Sequence, residues 1–167
     1  LTLAMEATNA GVWDYHPGSD MITLSRELYT MLGYETGPPE VLLDQWARQI
    51  HPEDATGLRQ RLKDYVDSGG EGEFESEFRL KKSDGSWCWL LAKGRTVERD
   101  ESGRPSRIIG LDLNIQTIKE VQEELIQSES RFRAIVDNPN CHGFVTEALP
   151  DVSMWVNKFH NVQVQVP

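Results

Sequence analysis

The sequence predicts an α+β fold, an antiparallel sheet packed by helices and followed by a helix of a different kind. Three observations carry this. From residue 73 to 80 the chain alternates, Phe74, Ser76, Phe78 and Leu80 on one face against Glu73, Glu75, Glu77 and Arg79 on the other, the period of a half-buried strand. Two turn segments, residues 82–86 with Asp84-Gly85 and residues 100–105 with Gly103 and Pro105, separate that strand from two more at 87–98 and 108–115. Between residues 53 and 66, Leu58, Leu62, Tyr65 and Val66 recur at helical spacing, an apolar stripe suited to covering a sheet.

Taken in order, residues 1–10 read as a short amphipathic helix stopped by Gly11, and residues 12–16 as a strand with Trp13 and Tyr15 on one face. A turn at 16–20 leads to a second strand at 21–24. Ser25 is placed to cap a helix over 26–32 that Gly33 ends. Gly37-Pro38-Pro39 is a loop, and residues 43–49 form a short helix presenting Trp46 and Ile50. Pro52 suits the first turn of the long helix, where its missing N–H is no loss, and Ser68-Gly69-Gly70 closes that helix. In the last strand Ile109, Leu111, Leu113 and Ile115 share a face. The strand at 87–98 is apolar on both faces in its first half, with Trp87, Trp89 and Leu91 opposite Cys88, Leu90 and Ala92. Its outer side is therefore expected to be covered, by the N-terminal helix or by a second subunit.

Ordered motifs along the chain resemble the PAS domain family. The run from Phe78 to Trp89, with Gly94-Arg95-Thr96-Val97, Asp100-Glu101-Ser102-Gly103 and Ile109-Gly110, is similar to the C-terminal half of that domain. Gly11-Val12-Trp13-Asp14-Tyr15, Leu28 to Tyr34 and Ile50-His51-Pro52-Glu53-Asp54 are similar to its first strand, first short helix and the start of its long helix. The resemblance covers residues 1–116 and implies a five-stranded antiparallel sheet with helices on one face. One departure stands out: where the family often has Asp-Ile-Thr, this chain has Asn114-Ile115-Gln116, so the usual acidic contact at the end of the sheet is lost and Asn114 is left as the polar cap.

After Gln116 the period changes. Ile118, Val121, Leu125, Ser128, Phe132 and Ile135 follow steps of three and four, a heptad seam flanked by Lys119, Glu120, Glu123 and Glu124. Residues 117–137 are thus expected to be a coiled-coil-like linker helix that pairs with a second copy or folds back on its own domain. Residues 130–138 resemble the start of a second PAS domain, and 143–146 and 154–159 its first two strands, so residues 138–167 read as a truncated repeat or tail. The alternation at 162–166 would suit a strand added to an exposed edge. The chain begins without Met and stops inside this pattern, as a piece of a longer protein would.

Composition narrows the function. A net charge of −10 argues against a nucleic-acid surface and against contact with an anionic membrane. No apolar run approaches the roughly 20 residues of a membrane span. Cys88 and Cys141 give neither a disulfide framework nor paired metal spacing, which makes a reducing cytoplasm the expected setting. His16, His51, His142 and His160 are scattered; His51 reads as a cap of the long helix. With no histidine inside that helix and no cysteine in the helical middle, haem and flavin are not expected, and no cofactor is assigned. Cys141 and His142 are adjacent and diverge in an extended chain. The acidic pairs Glu53-Asp54 and Glu73-Glu75-Glu77 read as a helix N-terminus and a solvated strand face, and no catalytic set emerges.

The resemblance then implies a sensory or signal-relay module of a bacterial-type multidomain protein, whose output domain, a histidine kinase or diguanylate cyclase, would lie outside this chain. Trp13, Tyr29, Trp46, Leu58, Leu62, Phe78 and Leu90 are the candidates to wall a pocket between long helix and sheet, with no charged group inside it. Asn114, Ile115, Gln116, Ile118, Val121, Leu125 and Phe132 are the candidates for relay and for a homodimer through the linker helix and outer sheet face. A ligand-binding sensor and a ligand-free dimerisation module both remain open.

Overall fold

The computed structural model describes residues 10–137; the helix expected at 1–10, apart from Ala10, and the tail at 138–167 lie outside the described residues. Six strands form one sheet: β1 (Ala10–His16), β2 (Met21–Leu24), β3 (Glu40–Leu42), β4 (Phe74–Lys81), β5 (Trp87–Arg99) and β6 (Pro105–Asn114). Four helices accompany them, α1 (Arg26–Met31), α2 (Leu43–Ala47), α3 (Pro52–Asp67) and α4 (Gln116–Val136). The sheet order is β3-β2-β1-β6-β5-β4, antiparallel throughout. The sheet thus has six strands rather than five. The addition is β3, three residues on the edge beside β2, too short to show a period and preceded by Pro38-Pro39.

Element types follow the sequence, with shifts at the ends. α1 stops at Met31 and Gly33 takes the left-handed conformation, φ 82°, that ends it. Ser25 precedes α1, but its hydroxyl accepts from the Val12 N–H at 3.0 Å instead of capping the helix, tying the helix start to β1. α2 ends at Ala47 rather than residue 49, because Gln49 and His51 turn to pair with β4: Lys81 N–H donates to Gln49 O and His51 N–H to Arg79 O, each at 2.9 Å. That pairing covers the open edge of β4. His51 caps α3 as expected, its Nδ1 accepting from the Glu53 N–H at 3.3 Å.

The inner face of the sheet is organised in rows that cross the strands. In one row Trp13, Gly110, Gly94 and Phe74 are successive partners on β1, β6, β5 and β4. The two glycines make room for the indole: a Cβ on Gly94 would stand 2.4 Å from Trp13 Cη2, and one on Gly110 2.2 Å from Trp13 Cζ2. Across them Trp13 meets Phe74 edge to face, with ring centroids 6.0 Å apart. The next row, Gly11, Asp112, Ala92 and Ser76, holds only small residues around one carboxylate. Leu58 and Leu62 of α3 and Phe78, Leu80, Leu90 and Ile108 of the sheet complete a core with α1.

This row pattern decides which face of β6 is buried. Its alternating set Ile109, Leu111 and Leu113 lies on the outer face, with Leu111 41% exposed, and Ile108, Gly110 and Asp112 face inward. Hydrophobic parity groups these residues, and the demand of the Trp13 ring for glycine opposite it selects the side that faces inward.

By Cα packing the chain divides after Glu120, so the first turn of α4 belongs to the sheet unit and the rest of the helix to a second unit. No residue of α4 is buried. Among the described residues no helix is long and apolar enough to cross a membrane.

Replacing Gly94 by Ala should force the indole off its seat and lower unfolding free energy by about 1–3 kcal/mol. Urea denaturation followed by tryptophan fluorescence measures it; an unchanged midpoint would mean that the indole is not seated on the glycine row.

Candidate functional site

A cavity of about 40 Å³ lies between the sheet and helices α2 and α3. Its walls include Trp13, Trp46, Leu58, Leu62 and Phe78, five of the seven residues picked from sequence. Tyr29 lies instead on a larger groove of about 420 Å³ beside α1 and the 36–38 loop, where its hydroxyl donates to Pro38 O at 2.7 Å. Leu90 is fully buried core and not part of either wall. Trp46 borders both spaces and rests edge to face on Phe78, with centroids 5.6 Å apart.

The sequence reading missed the cavity's charged group. Asp112 is 1% exposed, lines the cavity, and neither carboxylate oxygen has a hydrogen-bond partner among the described residues. Burial pushes its carboxyl up to about 7. The Trp13 indole N–H lies towards it and offsets this in part, yet falls outside hydrogen-bond geometry, so both groups are left unpaired. The one mark of Asp112 in the sequence is that it is the single acid in the otherwise apolar run Ile108 to Leu113.

The remaining polar groups of the wall are engaged elsewhere. Tyr15 donates to Asp20 Oδ1 at 3.0 Å, and burial holds its hydroxyl well above the usual phenol range. Arg59 pairs with Asp44, bridging α3 and α2 at the outer side of the cavity. Arg61, on the same helix, donates from Nη1 to Ser76 Oγ at 3.0 Å, two strands from Asp112 in its row.

A second constellation joins the sheet to α4. The backbone of Trp89 is held at both ends: its N–H donates to Gln116 Oε1 at 3.0 Å and its carbonyl accepts from the Ile115 N–H at 2.9 Å. Asn114 Oδ1 accepts from the Gln116 N–H at 2.9 Å, the polar cap expected of it, and Ile115 is buried. Gln116 thus supplies a contact the sequence reading had counted as lost. The Trp89 ring lies between two cations, Lys119 Nζ at 4.9 Å and Arg79 Cζ at 5.0 Å from its centroid. Lys119 reaches on to Glu77 of β4. Arg79 clamps Asp54 of α3 with Nε and Nη2 at 2.8 Å and also meets Glu53, and these bonds hold the Asp54 carboxyl below the usual range. The two acids read as a helix N-terminus therefore anchor α3 to the sheet. Glu73 and Glu75, read as a solvated face, pair with Lys93 and Arg95.

The Asp112 carboxyl gives a signed prediction. Its folded value of about 7 lies above the ordinary value of about 3.9, so the folded chain holds the extra proton and its stability falls as pH rises from about 4 to about 7. Asp112→Asn should flatten that slope in thermal unfolding between about pH 5 and 8 and raise the melting temperature at the upper end. A slope retained in the variant would assign it to another group.

The sequence profile described as the PAS fold matches residues 21–111, more than half of the chain. A Sinorhizobium fredii protein, y4lL, which carries no described activity, is 31% identical over 127 residues, 75% of this chain and 14% of its own length. The two-component sensor PprA of Pseudomonas aeruginosa is 28% identical over 92 residues, 55% of this chain and 10% of PprA. The probable diguanylate cyclase DgcE of Escherichia coli is 24% identical over 140 residues, 83% of this chain and 12% of DgcE. The chain thus spans about a seventh or less of the length of these relatives. Among solved structures, a sensory box histidine kinase/response regulator from Burkholderia thailandensis superposes with a TM-score of 0.67 at 24% identity, over 80% of this chain and 97% of that one. The N-terminal domain of a diguanylate cyclase with PAS/PAC sensor from Marinobacter aquaeolei gives 0.58 at 22% identity, over 66% and 98%. With these motifs in order, a fold that superposes on solved neighbours and a family profile across its middle, the chain belongs to the PAS fold family.

Proposed function

We propose that this chain is a sensory and signal-relay module of a multidomain signal-transduction protein, coupling the state of its inner cavity to an output domain through α4. The output is of the kind named in its relatives, a sensor kinase or a diguanylate cyclase, and the catalysis belongs to that domain rather than to this one. The observation that carries the reading is the junction at Trp89. Its strand turns Leu90 and Ala92 inward to the core and cavity and holds the first turn of α4 on its other side, so one strand touches both input and output. A shift in the cavity wall, transmitted through β5 and through the Arg79 clamp from α3, changes the support under Gln116 and Lys119.

The output face is a pair of α4 helices in a homodimer. Ile118, Val121, Leu125, Phe132 and Ile135 are each more than half exposed on a 21-residue helix with no buried residue, and a full burial of such a side chain contributes about 1.5–3 kcal/mol. The outer sheet face, with Leu111 and Trp87 exposed beside Leu91, Ile109 and Leu113, is a second apolar surface for the homodimer.

A ligand-free dimerisation module is the second reading, favoured by the small volume of the cavity, about 40 Å³. In either case Leu125→Glu places a charge in the seam, and light scattering should show the dimer mass falling toward that of a monomer. An unchanged mass would remove α4 pairing from both readings.

A further inference from the structure

We propose that the inner cavity is a binding site for a small organic cation, a primary amine on a compact apolar body, with the Asp112 carboxylate as its counter-charge. The proposal deepens the sensory reading and rests on it only for the consequence of binding. A buried carboxylate is ordinarily paired with a cation or saturated with hydrogen bonds, because its desolvation is otherwise uncompensated. Asp112 has neither among the described residues, although it is only 1% exposed.

The chemistry of the wall selects the partner. Both Asp112 oxygens are free to accept, so the complementary group is a donor. Every other titratable or charged side chain on the wall is already committed, Tyr15 to Asp20 and Arg59 to Asp44, while Arg61 of the same helix bonds Ser76. Among the described residues no cation answers the carboxylate, and an anionic ligand would be repelled. Around it stand Trp13, Tyr15, Trp46, Phe74 and Phe78, whose rings favour an alkylammonium over a hydrated metal ion. The indole of Trp13 is a positioning group: its N–H lies towards Asp112 and closes on one oxygen when the other takes the ligand.

Size follows from volume. About 40 Å³ holds roughly one water and is far below the roughly 150 Å³ of a cavity that takes benzene, so a four-carbon amine enters only when Trp46, the shared wall with the 420 Å³ groove, swings aside and joins the two spaces. The Arg59–Asp44 bridge between α2 and α3 marks the side from which a ligand enters.

Isobutylamine is the probe. The full chain, labelled with nitrogen-15, is titrated at about pH 8, where Asp112 is ionised. The readout is the Trp13 indole N–H resonance, assigned by its loss in Trp13→Phe. The expected result is a saturable shift with isobutylamine at least about tenfold tighter than with isobutanol and none with isovalerate, consistent with five or six heavy atoms at the usual ceiling per atom. Asp112→Asn, which keeps the shape, should abolish the preference for the amine, and wild-type affinity should weaken about tenfold per pH unit below the carboxyl value. Equal affinity for amine and alcohol, an unchanged preference in Asp112→Asn, or no saturable shift at roughly 10 mM overturns the proposal. Light scattering and α4 amide shifts in the same samples separate the two ideas: binding without a change in α4 upholds the site and removes the relay, while an α4 dimer with no amine binding does the reverse.

Discussion

The seating of one indole on two glycines is the constraint from which the rest of the domain follows. Trp13 is too large for an ordinary sheet position, and the row it occupies is cleared by Gly110 and Gly94 so that it can reach Phe74. That fixes which face of β6 points inward, brings Ile108 and Asp112 into the core, and turns Ile109 and Leu111 out. In the adjacent row Ala92 and Asp112 line the cavity, which α2 and α3 roof, while Leu28 covers Gly11.

Much of this architecture was legible in the residues. Alternation placed β4 and β5, the Asp-Gly and Gly-Pro turns separated the last three strands, and the spacing of Leu58 and Leu62 gave the long helix and its buried stripe. What stayed hidden has a common physical cause. Period 2 says that residues share a face but not which face is buried, and for β6 the answer depended on a tryptophan nearly a hundred residues away. β3 has no period to read, and it is a strand only because β2 offers it an edge. Asp112 looked like an ordinary acid between two leucines, since nothing local marks a carboxylate as buried.

The strand β5 divides two kinds of chemistry. On its inner side Cys88 and Leu90 are buried in the apolar core, and on its outer side the Trp89 ring meets two cations. Arg79 and Lys119 are themselves bonded to acids of α3 and β4, so the ring sits in a network that spans the start of α3, both hairpin strands and the first turn of α4. Asn114 and Gln116 replace ionic chemistry at the end of the sheet with neutral hydrogen bonds, which are weakly dependent on salt.

The position of β1 has a consequence for how the chain comes to be folded. It lies between β2 and β6, and its outer face is locked by Arg107, whose Nη2 reaches Asp14 Oδ2 at 2.7 Å across 93 residues of sequence. The first strand to leave the ribosome therefore waits for the last, and neither the Trp13 row nor the cavity can exist before β6 has been made. Synthesis then adds the 21 residues of α4 within roughly a few seconds, at about 5–20 residues per second. The sheet can thus close before α4 and its exposed apolar residues have been made, an order that favours pairing of β1 with β6 within one chain.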